Sequence, residues 1–194
     1  MKSIFKLLTL ALITNFIISC SNDDDNTPPP PVNEEEVITT LTVTFMPQGG
    51  GTNVELKTQD LDGDGPDAPV VTISGSFEAN TTYTGTVEFL NELENPAEDI
   101  TVEVEEEALE HQVFFIVTNN LGTVTYNDMD TDGNPIGLEV TFQTADTPDP
   151  INGAMTVTLR HEPNKDATGV SDGDITNAGG ETDIQATFTP ITVE

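Results

Sequence analysis

From Val37 onward, apolar residues return at every second position. Leu41, Val43 and Phe45 alternate with threonine, and Val54 and Leu56 follow a Gly49-Gly50-Gly51 turn. Val71, Ile73 and Phe77 come next, then Tyr83, Val87 and Phe89, and a short continuous run from Val113 to Val117. Val124 and Tyr126, then Leu138, Val140 and Phe142, then Met155, Val157 and Leu159, and finally Ile184, Ala186 and Phe188 complete the series. Period-two alternation interrupted by Gly, Asn, Asp and Pro clusters is the signature of strands and hairpins. The pattern predicts an all-β domain, an antiparallel Ig-like β-sandwich of about nine or ten strands over residues 37–194. One stretch is ambiguous. Asp99–His111 alternates at Ile100, Val102 and Val104, then continues as Glu-Glu-Glu-Ala-Leu-Glu-His, which is rich in helix formers. It reads as a strand through Val104 followed by a helical turn.

Direction follows from connectivity. In a sandwich of hairpins and Greek keys, successive strands mostly run antiparallel. The start of the Val113 strand and the ends of the Val124 and Met155 strands then share one rim, which gathers His111, the Asp128–Glu139 loop and His161. Counting one strand within Asp99–Glu110 adds the Gly49–Gly51 turn to that rim. It also places the entry of the N-terminal tether at the opposite one, so that the cluster faces away from the membrane.

A membrane enters the picture through residues 1–19. Lys2 and Lys6 precede an apolar run from Leu7 to Ile18, which is shorter than the about 20 residues that span a bilayer and suits a signal peptide. The segment ends Ile17-Ile18-Ser19-Cys20, resembling a bacterial lipobox, and Cys20 is the only cysteine in the chain. The sequence therefore predicts a lipoprotein acylated at Cys20, anchored in the outer membrane through its acyl chains. Residues 20–36 form an acidic, proline-rich and therefore disordered tether, able to extend roughly 50 Å at about 3.1 Å per residue. Asp23-Asp24-Asp25 directly behind the cysteine resembles an export signal that sends lipoproteins to the cell-surface face of that membrane.

Composition narrows the partners. The 194 residues include 35 Asp and Glu against five Lys and Arg, a formal net charge of -30, so nucleic acid is excluded as a partner by repulsion. A lone cysteine allows neither an internal disulfide nor a cysteine-based zinc site. No Gly-x-Ser-x-Gly elbow or phosphate loop is present, and a non-enzymatic protein is expected.

Two motifs could hold metal. Asp128, Asp130, Asp132, Gly133 and Glu139 fit the D-x-D-x-D-G-x5-E calcium loop, in which carboxylates at positions 1, 3, 5 and 12 surround a hard cation. Pro135 and the flanking strands depart from the usual form, and a hairpin turn explains the same residues. Asp60-Leu-Asp62-Gly-Asp64-Gly65 has only the first half of the pattern. The chain has two histidines, each beside a carboxylate, Glu110-His111 and His161-Glu162. On a shared rim, His111, His161, Glu110 and Glu162 could bind zinc or copper, or haem iron with Phe114 and Phe115 nearby.

Several phrases carry a resemblance. They are Glu34-Glu-Glu-Val-Ile-Thr-Thr40, the Asp60–Gly65 loop, Asn95-Pro-Ala-Glu-Asp-Ile100, Glu110-His-Gln112 with Phe114-Phe115, Leu159-Arg-His-Glu-Pro-Asn-Lys165 and Asn177-Ala-Gly-Gly-Glu-Thr-Asp183. Together they cover most of the mature chain and resemble a group of small acidic surface lipoproteins labelled "type 1 periplasmic binding fold superfamily protein". The label implies a two-lobed α/β fold, whereas the strand rhythm here predicts layered sheets. The resemblance implies an accessory role beside a TonB-dependent outer-membrane receptor. The sequence thus supports a surface lipoprotein that binds a ligand or partner. Zinc, copper or haem-iron capture and a calcium-stabilised adhesion module are the alternatives.

Overall fold

The computed structural model describes residues 36–63, 65–147 and 150–194. The signal peptide, Cys20, the tether up to residue 35 and Asp64 lie outside the described residues.

The domain is an all-β sandwich of ten strands in two sheets. The larger sheet contains β1 (Thr40–Pro47), β2 (Val54–Gln59), β3 (Val70–Ser74), β4 (Thr82–Asn91), β7 (Gly122–Tyr126) and β8 (Glu139–Thr144), in the order β3-β2-β1-β4-β8-β7. A two-residue strand, β5 (Glu98–Asp99), pairs with the end of β4. The smaller sheet is β10 (Glu181–Val193), β9 (Ile151–His161) and β6 (His111–Val117), and all its ladders are antiparallel.

The alternation seen in the sequence becomes the core. Leu41, Val43, Phe45, Val87, Phe89, Val140 and Phe142 of the larger sheet face Val113, Phe115, Met155, Val157, Leu159 and Phe188 of the smaller. Each is buried because its neighbours along the strand point to the opposite face. Phe77 packs edge-on against Phe45, Tyr83 and Phe142, with ring centroids 5.0–5.3 Å apart. Apolar residues also cover part of the outer face of the smaller sheet, where Phe114 packs with Val170 and Ala178 from the 162–180 connection.

Asp99–His111 departs from the expectation. Residues Ile100–Glu106 form a helix, α1, instead of continuing a strand. The Asp99 carboxylate accepts the Thr101 amide at 3.1 Å and caps the helix. Ile100 and Val104, one helical turn apart, are buried, while Val102 is 50% exposed. A strand would have placed all three on one face, so the alternation here mimicked period two within a period of 3.6. Asp99→Ala should cost about 1 kcal/mol, the usual value of an N-cap. A urea midpoint unchanged from wild type would show that α1 is held by its packing alone.

The helix changes the direction argument. With no full strand between β4 and β6, the chain crosses from the larger to the smaller sheet at one rim, and β6 begins where β4 ends. His111, His161 and the Asp128–Glu139 loop do share that rim: Val113 donates to the Ile136 carbonyl and Lys165 to that of Pro135. The start of β1 lies there too, with Thr40 paired to Leu90 near the end of β4. The Gly49–Gly51 turn comes after the far end of β1. The expected placement is therefore reversed: the N-terminal segment enters beside the histidines, and the glycine turn lies at the other rim.

Candidate metal centre

His111 opens β6 and His161 closes β9, and the ladder pairs them directly. They continue the inward-facing series Val113, Phe115 and Leu159, so both rings point between the sheets, with centroids 4.7 Å apart. Their side chains are 0% and 8% exposed.

Two carboxylates meet them, and neither is sequence-adjacent to a histidine. Glu36, four residues before β1, places Oε1 3.1 Å from His111 Nε2 and Oε2 3.6 Å from His161 Nδ1. Asp183 places Oδ2 3.9 Å from His111 Nε2 and Oδ1 3.7 Å from His161 Nδ1. The Glu36 and Asp183 side chains are 3% and 0% exposed. One donor atom from each of the four residues lies within 4.8 Å of every other.

Local structure explains how each arrives. Asp183 sits at a register shift in β10, where Thr182 pairs Arg160 and Ile184 pairs Leu159. Strict alternation would send Asp183 outward, because Ala186 and Phe188 point inward and Ile184 packs against the core. The bulge re-aims it between the sheets. Glu36 is held near the site by the next few residues of the chain. Ile38 packs on the core, the Thr39 amide donates to the Leu90 carbonyl at 3.0 Å, and the Glu92 amide donates to Thr39 Oγ1 at 2.8 Å.

The histidine tautomer suits metal ligation. His111 Nδ1 lies 3.3 Å from the Glu107 carbonyl, which can only accept; with the proton on Nδ1, Nε2 would offer its lone pair to an ion in the site. A ligating histidine held through its other nitrogen by a backbone carbonyl is the usual outer-shell arrangement. The spacing suits it as well. Four ligands at about 2.0–2.1 Å from a tetrahedral zinc stand about 3.3 Å apart. The separations of 3.1–3.9 Å between the histidine nitrogens and the carboxylate oxygens are close to that edge. Two neutral imidazoles and two carboxylates also balance a dication. Further acid surrounds the cluster: burial raises the Glu103 carboxyl above its ordinary value, and the charges of Glu36, Glu107 and Glu98 push it the same way.

The other expected residues fall elsewhere. Glu110 and Glu162, exposed, group with His161 on its outer side and not with His111. Phe114 and Phe115 point to opposite faces of β6, and the enclosed rings leave no open face for haem.

The Asp128–Glu139 loop is built around a cation of the protein's own. Lys165 Nζ donates to Asp130 Oδ2 at 2.9 Å, the Pro135 carbonyl at 3.1 Å and the Ala108 carbonyl at 2.5 Å. Asp130 Oδ1 accepts the Asp132 and Asn134 amides, and Asp128 accepts those of Gly137, Leu138 and Glu139. Asp132 and Glu139 are exposed. Among the described residues, Asp128, Asp130, Asp132 and Glu139 do not converge as a ligand group. The Asp128 and Asp130 oxygens are taken up in shaping the turn and holding Lys165, and this geometry does not favour the calcium expectation. In the earlier half-motif, Asp60 and Asp62 likewise accept backbone amides, from Asp62, Gly63 and Asp67.

The sequence picked out both histidines but neither partner carboxylate. Glu36 lies in the run Glu34-Glu35-Glu36, where nothing separates it from the tether, and Asp183 is brought inward by a bulge that alternation does not reveal. Compared with known proteins, the chain matches no family model, no curated protein and no solved structure.

Proposed function

We propose that this domain is a metal-holding module that binds one divalent transition ion, zinc before others, through Glu36, His111, His161 and Asp183. The observation that carries the reading is the convergence of these four donors, from four separate segments, within 4.8 Å in a buried rim of a protein with only two histidines. Mixed nitrogen and oxygen donors at near-tetrahedral spacing suit zinc, whereas copper(II) favours a planar arrangement. Four protein donors complete a zinc shell and leave no position for a substrate, which supports a holding role over a hydrolytic one.

The proposed setting is the one expected from the sequence: a lipoprotein anchored through Cys20, at the outer membrane and on its cell-surface face, accompanying a TonB-dependent receptor. There the metal-bearing rim would be the one at which the tether joins the domain. A receptor recovered with the intact lipoprotein from solubilised outer membranes supports this setting, and its absence removes it.

The binding test is calorimetric titration of zinc, and separately of copper(II), into the purified protein without a histidine tag. One zinc per chain is expected. His111→Ala, His161→Ala and Asp183→Asn should each weaken binding by at least about tenfold, the order that even outer-shell changes reach. Glu110→Gln and Glu162→Gln should leave it within about twofold of wild type. Loss of binding in Glu110→Gln, Glu162→Gln and His161→Ala, with His111→Ala and Asp183→Asn binding as wild type, would move the site to the outer face of His161.

A further inference from the structure

We infer that the metal ion also latches the base of the N-terminal tether to the domain, with Glu36 as the exchangeable ligand. The inference rests on the metal-binding reading above and adds a means of regulating that site.

The four ligands are not held alike. His111, His161 and Asp183 belong to β6, β9 and β10, three neighbouring strands of the smaller sheet, and the ladder pairs His111–His161 and those on both sides of Asp183 position them whether or not an ion is bound. Glu36 instead precedes β1 of the larger sheet. Among the described residues, the first backbone hydrogen bond from this segment into a sheet is made by the Thr39 amide. Val37 is 56% exposed. Rotation about residues 36 and 37, ahead of the core-packed Ile38, would therefore withdraw the Glu36 carboxylate without breaking a strand ladder.

The ion decides whether the carboxylate stays. With a dication present, Glu36 is one of two anionic donors, and the ion joins the larger sheet's first strand to the smaller sheet. Without it, the buried carboxylates of Glu36 and Asp183 face the same two rings as like charges, and Oε2 of Glu36 has no hydrogen-bond partner. Withdrawal returns Glu36 to water and relieves both costs. Residues 36 and 37 then join the tether, and the site opens on the side where Glu36 stood. Metal occupancy is read out in the tether, and a pull on the tether favours release of the ion.

A glutamyl endopeptidase tests the latch, because it must capture the Glu36 side chain to cut before Val37. The purified full chain is digested in zinc or in chelator, and the fragment beginning at Val37 is quantified by mass spectrometry. Cleavage after Glu94, in an exposed turn, serves as the internal control. Zinc is expected to slow cleavage at Glu36 by at least about tenfold, a local opening shifted by one decade, while Glu94 is cut equally in both conditions. In His111→Ala, slowing of cleavage at Glu36 should require at least about tenfold more zinc than in wild type. Glu36→Ala should retain zinc with an affinity lowered by at least about tenfold. Calorimetric binding of zinc with no change in cleavage at Glu36 overturns the latch and leaves the metal centre standing. Protection in His111→Ala that needs no more zinc than in wild type, or Glu36→Ala binding as tightly as wild type, also overturns it. No binding of zinc to wild type removes both.

Discussion

Lys165→Met is expected to lower the stability of the domain by about 3–5 kcal/mol, the cost of removing one partner from a buried ion pair. Lys165 and Asp130 have side chains 5% and 0% exposed. The ammonium joins three segments: the residues after α1 through the Ala108 carbonyl, the Asp128–Glu139 loop through Asp130 and Pro135, and its own connection to β10. Methionine fills much of the same volume but leaves a buried carboxylate uncompensated and two carbonyls without their donor. Asp130→Asn combined with Lys165→Met should recover part of the loss, because asparagine removes the charge and still accepts the Asp132 and Asn134 amides. Urea denaturation with an unchanged m-value measures both. A Lys165→Met protein within about 1 kcal/mol of wild type would mean that the pair is no more than a surface contact.

The same pair predicts a pH dependence. Burial alone would raise the Asp130 carboxyl, but hydrogen bonds from Lys165, Asn134 and Asp132 outweigh it and hold the group below its ordinary value. A carboxylate depressed in the folded state contributes stability that is complete above its unfolded value, about 3.9, and is lost as pH falls through the folded one. Lys165 moves down as well, chiefly through burial, with Asp130 opposing the shift. The lowered lysine works against folding where it is charged, and that cost is relieved only at alkaline pH between its folded and unfolded values. Wild type should therefore lose stability below about pH 4, and Asp130→Asn should lose less over the same interval.

Zinc at a hundred times its dissociation constant should raise stability by about 2.7 kcal/mol, which for a domain of this size is a melting shift of roughly 5–10 °C. The increment arises because the unfolded chain scatters ligands that the fold brings together. Glu36 is far along the chain from His111, His161 and Asp183, so no local segment can assemble the set. The readout is the difference between zinc and chelator within each protein, so a change in the baseline stability of a variant does not confuse it. At the same zinc concentration, His111→Ala and His161→Ala should each cut the shift to about half or less, and Glu110→Gln should keep it. A shift of equal size in the double histidine variant would place the ion elsewhere and sink the proposed centre.

Much of this architecture was legible in the order of residues. Leu41-Val43-Phe45 and Met155-Val157-Leu159 alternate because one face of each strand must leave water, and that demand is written locally. Lys165 was different: in the sequence it is one of five cations, and only folding shows three carbonyl or carboxylate oxygens gathered round it. The calcium-like spacing of Asp128, Asp130 and Asp132 was legible too, but spacing does not say what the oxygens bind. Here the nearest donors are the loop's own amides and an ammonium from 35 residues further on.

The sequence by itself determined the strands, the two-layer class and the presence of just two imidazoles, because alternation and composition are properties of short windows. Tertiary structure alone decided that α1 replaces a strand and so returns the chain to the rim where it entered. It alone decided that a bulge turns Asp183 inward and that Glu36 leaves the acidic run to meet both rings. A coordination shell depends on where distant segments end in space. That position is set by the sum of crossings, registers and bulges along the whole chain, which no single window contains.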